Sequence, residues 1–173
     1  MDKSTLKANR PSFPLGATTR IGLGKALLIG LGAGVVGGLA MTFNQKLEQT
    51  FITNRPNSYV PGYTLLRLLH RPVPASMSEL VAWNHAMHWG EGLVAGAIRG
   101  LMAYNGIAGP FASFIFTGVR LLIDQSLENL TGVGAAPWTW PWQEQVLDIV
   151  HKAVYAFATG YVVDRFVVGY RYN

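Results

Sequence analysis

Residues 84–92 read NHAMHWGEG and set His85, His88 and Glu91 in a stretch otherwise made largely of apolar and small residues. Imidazole and carboxylate groups exchange protons when their surroundings push their proton affinities apart, and burial beside one another does this. Two later stretches supply matching groups. Arg120, Asp124 and Glu128 recur every four residues along one helical stripe, and Glu144, Asp148, His151 and Tyr155 follow another within about 40°. His85, His88, Glu91, Asp148 and His151 are the residues an acid–base catalyst would use. Arg120, Asp124, Glu128, Glu144 and Lys152 suit structural ion pairs, Arg120 with Asp124 and Lys152 with Asp148 or Glu144. The plainer reading of the charged stripes is that they merely pin helices together or fray into headgroups at the outer ends.

The elements that must position these groups are apolar. Half of the 173 residues are hydrophobic and 13% are charged, against about 25% charged in an ordinary soluble domain. A chain so composed clothes a water-facing surface poorly, and a membrane is its natural solvent. Residues 26–43, ALLIGLGAGVVGGLAMTF, form a charge-free run of about the length that crosses a hydrocarbon core of roughly 30 Å. Residues 80–104, 110–130 and 144–168 read as three further spans. Ser78 and Glu79 serve as capping residues, Pro110 as a first-turn proline, and YNGIAGP as a tight turn making the second and third spans antiparallel neighbours. The expected fold is all-α: a four-helix transmembrane bundle with a short interfacial helix in the first external loop, around Leu65–Arg71.

Residues 1–25 form a basic tail carrying Lys3, Lys7, Arg10, Arg20 and Lys25, and residues 169–173 form a short C-terminal tail. Four spans place both ends on one side. The basic residues of the tails outnumber those of the first external loop, so both termini are expected in the cytoplasm. Pro11 and Pro14 spoil an amphipathic mitochondrial address, which favours an endomembrane or plasma-membrane site. The positive charge is thereby explained without nucleic acid, for which no recognition motif is present. Without cysteine there are no disulfides and no thiolate chemistry.

Alternating directions bring the titrating residues of three spans, with Glu48 just beyond the first, to one depth near the non-cytosolic face; Arg99 alone is expected in the inner half. A charge at the bilayer centre costs about 2.5 to 3.5 kcal/mol, so these groups should pair or line water. Ala26, Gly30, Gly34 and Gly38 make a ladder of small residues on the first span, and Gly92, Gly96 and Gly100 another on the second, continued by His88 and Asn84. Such ladders bring helices close where lipid removes the hydrophobic driving force, within the bundle or onto another protein. A di-metal carboxylate site is the weaker reading: Asp148 and His151 match one half of the motif, His88 and Glu91 have it reversed, and Lys152 would repel the ion. No metal and no cofactor are expected.

The stretches LLIGLGAGVVGG, HAMHW and GVGAAPWTWPWQEQVLDIVHK resemble the YagU-like family of small multi-span membrane proteins, whose activity is not established. Gly132, Pro141, Trp142, Glu144 and Asp148 fall where that pattern has glycine, proline, tryptophan, glutamate and a second acid; His85 and Trp89 match its second helix. The chain departs by having no further histidine near Val94 and by carrying Lys152 where the pattern has histidine, with His151 one residue away. The resemblance implies four spans and a membrane home, but no reaction.

Three functions follow as expectations. The first is an accessory subunit, its glycine faces docked on a membrane-tethered oxidase or synthase that processes a lipophilic metabolite. The second is a membrane-embedded cyclase or isomerase using the histidine and carboxylate pocket. The third is a proton or ion pathway, weakened by the sparse inner half.

Overall fold

A computed structural model describes residues 21–169. The leader residues Lys3, Lys7, Arg10, Pro11, Pro14 and Arg20 and the tail from residue 170 lie outside the described residues. All regular structure among the described residues is helical: four long helices, α1 (Leu23–Glu48), α3 (Met77–Tyr104), α4 (Pro110–Leu130) and α5 (Trp142–Val163), and a short α2 (Val60–Leu68).

The helix boundaries follow local chemistry. The first helix does not stop with the apolar run at Phe43. Gln45, Lys46, Leu47 and Glu48 are good helix formers, so α1 continues through them and through a π-helical turn, Gln49–Thr53, until Asn54 takes the left-handed conformation at φ 55°. Glu48 therefore rides on the helix rather than in the loop beyond it. At the start of α3 the cap is Ser76, not Ser78: its Oγ accepts the Glu79 backbone N–H at 3.3 Å. The segment expected as a third span is helical, α4, entered through Gly109 at φ 88°, a value that glycine adopts without strain, and Pro110 in the first turn. The last helix begins two residues before Glu144 and ends in a second π-helical turn, Asp164–Val168. The short loop helix lies earlier than Leu65–Arg71 because His70 adopts φ 52° and breaks it.

Packing is built around α1, which lies against both α3 and α5, while α2 lies against α3. The α1–α3 seam is a backbone contact. A Cβ at Gly30 would stand 2.5 Å from the Gly96 oxygen, one at Gly100 2.5 Å from the Ala26 oxygen, and one at Gly96 2.7 Å from Gly34 Cα. Gly34 faces the Gly92 oxygen and Gly38 lies under the Trp89 ring, whereas Gly92 has ordinary room. The small-residue faces of the two helices are thus used on one another. Although a tight turn joins α3 and α4, α4 packs chiefly against α5, because Asp124 and Arg120 on α4 bind Lys152 and Tyr155 on α5.

On α4 polar side chains share the buried face with Ala112 and Phe116. Ser113, Thr117, Arg120 and Asp124 are buried, while Phe111, Phe114, Ile115 and Leu122 face outward. Two helical stretches, Leu23–Thr53 and Trp142–Val168, are long and apolar enough to cross a membrane.

Candidate functional site

A cavity of about 650 Å³ opens at the end of the bundle where α1 finishes and α3 and α5 begin. Its wall takes Thr42, Lys46 and Gln49 from α1 and the turn after it, Arg55 and Tyr59 from the following loop, and His85, His88 and Trp89 from α3. Glu128 at the end of α4, Trp140 in the next loop, and Glu144, Asp148, His151 and Lys152 from α5 complete it. Helical periodicity explains the α5 contribution: residues 144, 148, 151 and 152 share one side of the helix.

The structure separates the three residues of the NHAMHWGEG stretch. His85 is exposed and stands at the mouth. His88 is half-buried, its Nε2 3.0 Å from Thr42 Oγ1 and its ring edge-on to Trp89 at 5.6 Å. Glu91 does not line the cavity but turns toward α4, where its Oε2 lies 3.7 Å from Arg120.

Behind the cavity runs a buried ionic network. Arg120 pairs with Asp124 one turn on, as its spacing suggests. Lys152 Nζ lies 2.7 Å from Asp124 and 3.4 Å from Asp148, so its nearer partner is across the helix interface rather than on its own helix. Glu144 does not serve Lys152; it meets Arg55 at 3.3 Å. Arg120 also stands over the Tyr155 ring at 5.1 Å, and the Tyr155 hydroxyl donates to the Gly92 carbonyl. Glu128 lines the cavity, and its backbone carbonyl accepts from Val133 and Gly134, turning the chain into the loop above.

Two groups, Arg55 and Asp164, escape a reading of the sequence. Arg55 grips Glu48 through Nε at 3.1 and 3.0 Å and through Nη2 at 2.9 Å, with Thr53 Oγ1 as a further donor. Glu48 is buried, and its Oε2 lies 3.6 Å from Nε2 of the buried His151. At the opposite end, Arg99 is not alone. Its Nη2 meets Asp164 Oδ1 at 2.6 Å and Nη1 donates to the Ile107 carbonyl at 3.2 Å, while Asp164 Oδ2 accepts the Gly109 N–H at 2.8 Å. One carboxylate thereby pins the α3–α4 turn to the end of α5. Long-range pairs of this kind leave no mark in local spacing.

Among the described residues no group of three His, Asp or Glu side chains is placed to hold a metal ion. Asp148 and His151, one half of the di-metal pattern, engage different partners, Lys152 and Glu48. The cavity brings two half-buried or buried imidazoles and several carboxylates, groups that can exchange protons, around a volume large enough for a small organic molecule. In comparisons with family models, with curated proteins and with solved structures, the chain matches none.

Proposed function

We propose that this chain is a multi-pass membrane protein whose end cavity binds a lipophilic small molecule and moves protons on it, as a cyclase or isomerase does. The observation that carries this reading is the cavity itself, which gathers His88, His151, Asp148 and Lys152 from two helices beside a closed ionic network. Four crossing helices are supported by α4, whose charges turn inward while Phe111, Phe114 and Leu122 face outward, an arrangement that suits lipid, not water. Likewise only 39% and 33% of the apolar windows of Leu23–Thr53 and Trp142–Val168 are buried within the chain, so most of their surface needs an apolar surrounding. Both termini then lie on the cytoplasmic side and the cavity near the opposite face, in a bilayer of the endomembrane system or the cell surface.

An accessory-subunit role, beside a membrane-tethered oxidase or synthase, is the second reading. It loses the support of the glycine faces, which are occupied within the chain. One observation still favours it: Leu130, Trp138 and Trp142, around the loop that roofs the cavity, are strongly exposed. A conducting pathway gains Asp164 as a second inner group, but Arg99 and Asp164 are engaged with one another and suit a pin.

The test is purification of the tagged protein in nanodiscs, followed by native mass spectrometry and organic extraction. The proposal expects a small lipophilic compound bound at one per chain and depleted in His88→Leu. An empty chain carrying a second protein in stoichiometric amount would replace it with the subunit reading.

A further inference from the structure

His151 is the most deeply placed titratable side chain in the cavity wall, 3% exposed, and its Nε2 is shut off from solvent without a hydrogen-bond partner. The nearest charge is Glu48 Oε2 at 3.6 Å, beyond hydrogen-bond length and within ion-pair reach. Glu48 cannot turn away to find another partner. Arg55 holds both of its oxygens, and Thr53 donates to Oε1. Arg55 in turn bridges to Glu144 on α5, so the chain beyond α1 is tied across to the helix that carries His151.

We infer that Arg55, Glu48 and His151 form a relay in which Glu48 is the positioning carboxylate and His151 the proton-transferring base at the cavity floor. A carboxylate facing one ring nitrogen selects the tautomer that carries its proton there and leaves the other nitrogen bare. At 3.6 Å the attraction is that of charge for an N–H rather than a hydrogen bond, and on the proposed relay it places the proton on Nε2, toward Glu48, leaving Nδ1 for the cavity that the ring lines. Nδ1 takes a proton from an acidic O–H or C–H of the ligand, which becomes an anion as the ring becomes an imidazolium; the ligand anion is the counter-charge, and Glu48, already shared with Arg55, holds the ring in place. Return of the same proton to a different ligand atom regenerates the neutral ring. The cycle is a proton-shift isomerisation that balances without oxidant or co-reactant. It names the substrate class as a lipophilic molecule with an enolisable carbonyl or a conjugated hydroxyl. The inference rests on the cavity being a small-molecule site, but its structural part is separable.

The experiment is nitrogen-15 NMR of histidine-labelled full-length protein in nanodiscs, with the His151 resonance assigned by its loss in His151→Gln. The expected result is a single Nε2–H tautomer in the unliganded wild type, and a mixture of both tautomers in Glu48→Leu and Arg55→Gln. Thermal unfolding of the variants reports whether they are folded. If Glu48→Leu does not fold, the wild-type tautomer alone decides. A wild-type His151 carrying its proton on Nδ1, or a mixture unaffected by the two variants, overturns the relay. A bound small molecule with the wrong tautomer would sink the relay alone; the right tautomer with no bound molecule would sink the proposed function and leave the relay standing as geometry.

Discussion

Adding one methyl group at Gly96 should weaken the protein, and adding one at Gly90 should not. At Gly96 the new Cβ would stand 2.7 Å from both the Cα and the N of Gly34 and closer still to the Gly30 oxygen. All three atoms are backbone, so no side chain can swing aside and α1 must move away from α3. Overpacking of this kind costs about 1 to 3 kcal/mol, and contact with backbone on two successive turns puts it toward the upper end. The gain in helix propensity from glycine to alanine returns about 1 kcal/mol, leaving a net loss of about 1 to 2 kcal/mol. At Gly90 nothing lies within 4 Å of the added atom, so only the propensity gain of about 0.5 to 1 kcal/mol remains. Reversible unfolding of Gly96→Ala and Gly90→Ala in mixed micelles, followed by helical circular dichroism, should therefore separate the two by about 2 kcal/mol. If the glycines of α3 faced a second protein instead of α1, the isolated chain would not feel the methyl and both variants would gain. Equal stability of the two would refute the seam.

Asp164→Leu strands the buried Arg99 guanidinium and the Gly109 N–H; a loss of about 3 to 5 kcal/mol is expected in the same assay, with much of it recovered in the Arg99→Leu, Asp164→Leu double variant. Tyr155→Phe removes the hydroxyl that donates to the Gly92 carbonyl and should cost about 1 kcal/mol, with the helices retained. Trp138 and Trp142, 83% and 68% exposed, should be quenched more by lipids brominated near the headgroup than by lipids brominated at the chain ends, as befits indoles at the membrane boundary.

Features set by neighbours along the chain could be read from it. Pro110 after a glycine-rich turn marked the start of α4, and the Arg120–Asp124 pair followed from a four-residue spacing. The convergence of His88, Asp148, His151 and Lys152 on one cavity followed from alternating helix directions together with periodicity. Arg55 was invisible because it sits in a loop whose polar composition looks like any solvated connection, and only the folded chain carries it back to Glu48 and Glu144. The Arg99–Asp164 pair leaves no mark in local spacing because its members are 65 residues apart. Apolar content stops at Phe43 while helix propensity does not, so hydropathy alone ends α1 too early. Glu91 illustrates the limit of grouping by sequence neighbourhood: three residues on from His88, it faces another helix and a different ion.

The claim on which all of this depends is that four helices cross a bilayer and bring the cavity to the face opposite the termini. The chain has no cysteine, so single cysteines can be introduced one at a time and labelled with a membrane-impermeant maleimide on sealed vesicles of known orientation. Asn57→Cys and Thr139→Cys, in the two connections at the cavity end, should react from the non-cytosolic side. Asn105→Cys, in the α3–α4 turn, should react only from the cytosolic side. Labelling of Thr139→Cys and Asn105→Cys from the same side, or recovery of the protein in the soluble fraction, would contradict the account.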